Sequence, residues 1–150
     1  NAVGAAFGDR TDEFANFYFG GFGNNYVDSG EIKRYREYYA MPGYELNEIG
    51  GRNFAATMLE WNLPPLRFDR AGKPGFDMSW ARPAIFARHL TTNLDDSAIR
   101  REVQNVGMQV DLRFTIMSRM DMTLSLGYAR GFGDNVVEDQ DEFMVSLKIL

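Results

Sequence analysis

Val106-Gly107-Met108-Gln109-Val110-Asp111-Leu112-Arg113-Phe114-Thr115-Ile116 reads apolar and polar by turns. Side chains point to opposite faces of a strand at every step, so Val106, Met108, Val110, Leu112, Phe114 and Ile116 share one face. Gly107, Gln109, Asp111, Arg113 and Thr115 share the other. After the break at Ser118-Arg119-Met120-Asp121 the pattern resumes. Met122, Leu124, Leu126 and Tyr128 then alternate with Thr123, Ser125, Gly127 and Ala129, and the two runs predict a tight antiparallel hairpin. Eleven residues at roughly 3.3 Å each, tilted by about 45°, rise about 25 Å, the height of the lipid-facing band of a membrane barrel. Strands of soluble proteins are about half as long. Gln109, Asp111 and Arg113 would each need a partner in a dry core, whereas the wet interior of a barrel accepts them.

Composition is consistent with that reading. The chain has 150 residues, a formal charge of −5 and no cysteine, with 12 Phe, 7 Tyr and 2 Trp. It is long enough for a single domain spanning 1–150. No run approaches 18 apolar residues, which excludes a transmembrane helix, but alternating strands cancel in any averaged window and escape that test. The aromatic content suits interfacial girdles. The acidic balance argues against a nucleic-acid partner. The absence of cysteine is compatible with an oxidising compartment. The sequence starts without Met inside an apparent strand, Ala2–Phe7, and reads as a trimmed piece of a longer protein.

Taken in order, the opening strand and a polar turn at 9–13 lead to a Phe- and Tyr-rich strand, Phe14–Phe22. A long insertion, Gly23–Gly50, interleaves charges with tyrosines, and its Pro42-Gly43 turn predicts an ordered loop. Gly51–Leu63 alternates, with Ala55, Thr57, Leu59, Trp61 and Leu63 on one face and Phe54, Ala56, Met58 and Glu60 on the other. Pro64-Pro65 ends it, since proline donates nothing to a sheet ladder. Leu66–Gly75 reads as a connection and Phe76–Leu90 as a strand bent near Pro83. A polar loop, Thr91–Glu102, precedes the hairpin already quoted. An acidic loop, Phe132–Glu142, precedes the last strand, Phe143–Ile149. This makes about seven antiparallel strands. If the C-terminus is periplasmic, the long connections (23–50, 91–104, 132–142) lie outside the cell and the tight ones (9–13, 118–121) inside, as in outer-membrane barrels.

The order Phe19-Gly20-Gly21, a loop with Pro42-Gly43-Tyr44, Gly50-Gly51, a strand with Glu60, and Pro64-Pro65 resembles the Omp85 (BamA/TamA/D15 surface antigen) superfamily. Gly127-Tyr128-Ala129 and the segment from Phe143 to Leu150 look like that family's last two strands. The resemblance implies an antiparallel transmembrane β-barrel of which this chain is the C-terminal part, the final seven of sixteen strands. It also implies that the long loop folds back into the lumen, its tip Pro42, Gly43 and Tyr44 docked on acidic residues of the inner wall. The arginine that the family carries at that tip is absent here, and Asp77 is the nearest counterpart of the family's aspartate in the following strand. The closing residues Phe143, Val145, Leu147, Ile149 and Leu150 resemble the signal that the barrel-assembly machinery recognises. The implied function is protein insertion or translocation in the Gram-negative outer membrane, or a docking platform for other chains. The expected partners are outer-membrane lipid and lipopolysaccharide, the missing N-terminal strands, and protein cargo or partner chains.

Chemistry-bearing residues are sparse. His89 is the only histidine, so a histidine-based metal site or catalytic triad has no basis and a structural or girdle role fits best. The acidic loop residues Asp134, Glu138, Asp139, Asp141 and Glu142 lack the spacing of a calcium loop. Gly20-Gly21-Phe22-Gly23 is not followed by the Lys-Ser/Thr of a phosphate loop. No nucleophile stands beside a base, so we expect no enzyme, cofactor or metal. Lys33, Arg34 and Arg36 are candidates for lipopolysaccharide phosphates or the inner wall. Glu60, Asp77, Gln109, Asp111 and Arg113 are the candidate polar network of a lumen. Two other readings remain open at this point: a soluble calyx of lipocalin type holding an apolar ligand, with apolar side chains turned inward, and a simple diffusion pore.

Overall fold

The computed structural model describes residues 1–6, 15–22, 38–117, 119–133 and 140–149, the side chains of residues 69–71 apart. Among the described residues there are nine strands and no helix: β1 (Ala2–Ala5), β2 (Phe17–Phe19), β3 (Ile49–Gly51), β4 (Asn53–Asn62), β5 (Leu66–Lys73), β6 (Phe76–Thr92), β7 (Arg101–Ile116), β8 (Met120–Gly133) and β9 (Gln140–Ile149). Seven form one antiparallel sheet in the order β1-β4-β6-β7-β8-β9, with β5 also paired to β6. Strands β2 and β3 make a separate two-stranded sheet. The main sheet is open among the described residues, with β1 and β9 as its edges.

The polar and apolar faces run unbroken across this sheet because the register holds from strand to strand. Trp61 stands opposite Ile85, Ile85 opposite Met108, Met108 opposite Tyr128, and Tyr128 opposite Phe143. The neighbouring rung carries Glu60, Phe86, Gly107, Ala129 and Glu142 on the opposite face. A slip of one residue in any strand would reverse its faces, so continuity of both faces fixes the register.

Several boundaries differ from the sequence reading, each for a physical reason. Phe14–Phe22 is not a strand of the main sheet. Among its described residues, 15–22, only Phe17–Phe19 forms a strand, which pairs with Ile49–Gly51, and β1 pairs directly with β4. The chain therefore leaves β1 at the end of the sheet where β6 and β8 also finish, since Ala5 stands opposite Asn53 and Phe54 opposite Thr92. Leu66–Gly75, read as a connection, is mostly strand: β4 and β5 lie end to end along β6, which turns at Pro74-Gly75. Pro64-Pro65 interrupts this line without ending it. Pro83 sits opposite the interruption, with its carbonyl accepting the Leu63 N–H at 3.1 Å. The face of Pro83 that lacks an N–H thus meets the gap, and β6 runs through it unbroken. Strand β7 starts at Arg101 and β9 at Gln140, so Glu102, Asp141 and Glu142, assigned to loops from their charge, belong to strands.

Candidate functional site

The two faces of the sheet differ in what covers them. On the apolar face, Leu59 is 73 % exposed, Trp61 66 %, Phe143 68 % and Ile149 65 %, with Ile85, Met108, Val145 and Leu147 also open. On the polar face, Asn105 and Gln109 are each 3 % exposed and Asp111 5 %. The protein thus buries its polar sheet face and bares its apolar one, the inverse of the arrangement expected in water.

The polar face is covered at one end by the segment between β1 and β4. Phe19, Phe22, Met41 and Ile49 of this segment are fully buried. Phe19, Met41, Tyr44 and Ile49 pack on Phe54, Leu90 and Val103, and Phe22 on Ala84, Phe86, Ala129 and Met144. Each large apolar side chain contributes about 2 kcal/mol on burial, against about 1 kcal/mol net for a hydrogen bond, so packing dominates the docking and polar contacts set its register. Glycines of the polar face act as sockets. A Cβ at Gly127 would lie 2.7 Å from the Phe22 ring, and one at Gly131 the same distance from the Tyr44 ring. Inward glycines in mid-strand are the sequence signal for such close approach.

The Pro42-Gly43-Tyr44 tip sits at the end of β7, β8 and β9. Gly43 N–H donates to Glu142 Oε2 at 3.0 Å and Phe22 N–H to Glu142 Oε1 at 3.1 Å. Asn105 Nδ2 donates to the Pro42 carbonyl at 2.6 Å. The Tyr44 hydroxyl lies 2.6 Å from the Phe132 carbonyl and 3.2 Å from that of Gln104, which face each other across β7 and β8. The tip is therefore held on an acidic wall residue by backbone N–H groups, with no arginine.

Burial, reinforced by the Glu48 carboxylate, pushes the Tyr44 hydroxyl from its ordinary 10 up to about 12. The docked tyrosine keeps its proton where an exposed one has lost it, so docking is indifferent to pH below 10 and weakens as pH rises from 10 to about 12. We expect the unfolding midpoint of the native protein to fall over that interval more steeply than that of Tyr44→Phe. Parallel curves would contradict this.

Beyond the loop, the polar face carries two charged clusters. Asp111 accepts from Gln109 Nε2 at 2.8 Å, Ser125 Oγ at 2.7 Å and Arg82 Nη2 at 3.1 Å. Arg113 Nη2 lies 3.1 Å from Asp121 Oδ2, and Thr115 Oγ1 donates to Asp121 Oδ1 at 2.7 Å. Trp80 shares this face, with the Arg82 guanidinium 5.6 Å from its ring centroid. Of the residues picked from sequence, Gln109 and Asp111 come together and Arg113 joins a separate cluster. Glu60 hydrogen-bonds Asn62 on β4, and Asp77 lies beside the β5–β6 turn, lining an opening with Gly72, Lys73 and Thr115.

Phe143, Val145, Leu147 and Ile149 line the open apolar face of β9. His89 contacts Thr91 Oγ1 at 3.1 Å. Leu150, Lys33, Arg34, Arg36, Asp134, Glu138 and Asp139 lie outside the described residues. Arg82, Asn105, Asp121, Ser125 and the clamp role of Glu142 escaped the sequence reading. Their signal was positional, since each falls on the polar face once the register is known. Among the described residues, no three of the types His, Cys, Asp and Glu gather closely enough to hold a metal ion. Comparison with family models, curated proteins and solved structures finds no match to this chain.

Proposed function

We propose that this chain is part of the wall of an outer-membrane β-barrel of Omp85-like type, with the segment between β1 and β4 as a lumen loop. It serves protein insertion or translocation, or docks partner chains, and performs no catalysis. One observation carries the reading: an apolar sheet face left open across five strands, back to back with a polar face that the docked segment covers at one end. Lipid is the solvent that favours such a face, whereas in water a patch of this size would mark an interface or an aggregation site. Six apolar rungs, from Val106 to Ile116, rise about 25 Å at a tilt of about 45°, matching the hydrocarbon band. A lipocalin-like calyx would cover the Leu112 side of the sheet and bare Asp111, the opposite of this arrangement. The docked loop argues for a filled lumen over a simple diffusion pore.

Two ends of the sheet support an orientation. The Pro74-Gly75 turn and the short β7–β8 connection share one end, and the longer 93–100 connection and the docked segment share the other. In this reading the short turns face the periplasm, and the C-terminal end of β9, beside Met122 of β8, lies on that side. Fractionation of the full-length protein tests the proposal. We expect outer-membrane localisation, a detergent requirement and faster gel migration of the unboiled sample. Solubility without detergent and no mobility shift would overturn it.

A further inference from the structure

We propose that Glu142 couples the docked loop to the edge strand β9, so that undocking the loop and loosening the loop-end half of β9 are one event. This rests on the proposed function in one respect, that the segment between β1 and β4 is a lumen loop.

Strand β9 is hydrogen-bonded to β8 alone, from Met122 opposite Ile149 to Gly131 opposite Gln140, and its outer edge meets no strand among the described residues. A strand held on one side opens more readily than one held on both. At its loop end, however, every inward side chain of β9 reaches the docked segment. Gln140 Nε2 lies 3.4 Å from Glu48 Oε1, Glu142 accepts two loop N–H groups, and Met144 packs with Phe22. Further along, Ser146 and Lys148 stand opposite Ser125 and Thr123 of β8.

The Glu142 contact is built for this tie. Each carboxylate oxygen takes one N–H, one from each arm of the segment, and a left-handed glycine sets each arm: Gly21 at φ 62° and Gly43 at φ 92°. The arms are themselves joined, since Met41 N–H donates to the Gly21 carbonyl and Gly21 N–H to the Tyr44 carbonyl, both at 2.9 Å. Moving the loop end of β9 away would leave a carboxylate and two partly buried N–H groups without partners. Conversely, Tyr44 and Asn105 fix the tip to β7 and β8, so the loop gives the loop end of β9 a support beyond its ladder with β8. Such a linkage is reciprocal: whatever steadies the loop end of β9 tightens the loop, and a loosened loop loosens that end of β9.

Hydrogen exchange read by peptide tests the coupling, in detergent or in water alike, so its outcome is independent of where the protein resides. Gly21→Ala strains the loop arm at a left-handed φ of 62°, where a Cβ would press on the Leu46 side chain at 2.8 Å, and Glu142→Gln is the gentler change on the strand. We expect both to speed exchange at 140–145 at least tenfold, with 146–149 and the β7–β8 pair unchanged. The double variant should add little to either single one, because both cut the same tie. Faster exchange confined to the loop in Gly21→Ala, with 140–145 unchanged, would overturn the proposal, as would full additivity.

Discussion

Gly43→Val should undock the loop at a cost of about 4 kcal/mol, summing strain in a left-handed backbone and overpacking against atoms that cannot yield. Gly43 has φ 92°, and a Cβ there would lie 2.5 Å from Gly131 N and 2.8 Å from the Arg130 carbonyl carbon. Both are backbone atoms in the β7–β8–β9 region of the sheet, so the neighbour cannot turn aside. Gly75 provides the internal control. Its φ is also 92°, but a Cβ there would meet nothing within 4 Å. Alanine at Gly75 should therefore cost only the backbone term, about 1–2 kcal/mol. Unfolding midpoints and loop protection measured for Gly43→Ala, Gly43→Val and Gly75→Ala separate the two effects. Equal losses at the two glycines would mean that the tip does not press on Gly131.

The sheet was legible in the sequence wherever a strand crosses the apolar band. Val106–Ile116, Met122–Tyr128 and Phe143–Ile149 alternate without error, because one face of each is apolar throughout, and Phe54–Leu63 alternates less cleanly, with Thr57 on its apolar face and Phe54 and Met58 on the other. Legibility failed where strands run past that band. Arg101 to Gln104 extends β7 through backbone pairing with Thr92 to His89, and Asp141 and Glu142 extend β9, with charged side chains that read as loop. It failed again at Leu66–Lys73, where Pro64-Pro65 signals an ending but the chain resumes pairing with β6. Phe14–Phe22 misled for the opposite reason: its aromatics fit a wall strand, yet Phe17, Phe19 and Phe22 are apolar filling of the docked segment. The tip Pro42-Gly43-Tyr44 was visible as a turn. Its anchor was not, since Glu142 acts through backbone N–H groups that carry no residue signature.

Leu147→Arg should cost about 2–4 kcal/mol, the penalty of a cation near the bilayer midplane on the lipid face of a barrel. Leu147 lies opposite Leu124, on a rung that continues through Leu112 to Ala81, midway along the apolar band. It is 53 % exposed, so at a water-facing surface the same change would fall within about 0.5 kcal/mol of neutral. Ser146→Arg, one residue away and on the polar face, provides the comparison. Refolding titrations in lipid vesicles should show the loss at Leu147 and a smaller effect at Ser146. Similar small effects at both positions would place water on both faces.

The two tryptophans stand on opposite faces, and this permits the most direct test of the account. Trp61 lies on the open apolar face opposite Ile85, and Trp80 on the polar face beside Arg82 and Arg113. Trp61→Phe and Trp80→Phe variants of the full-length protein, refolded into vesicles with brominated acyl chains, report each tryptophan alone once other tryptophans are replaced. The account predicts strong quenching of Trp61 by the brominated lipid and little of Trp80, which should respond to aqueous iodide instead. Quenching of Trp61 by iodide, with no response to brominated lipid, would contradict it.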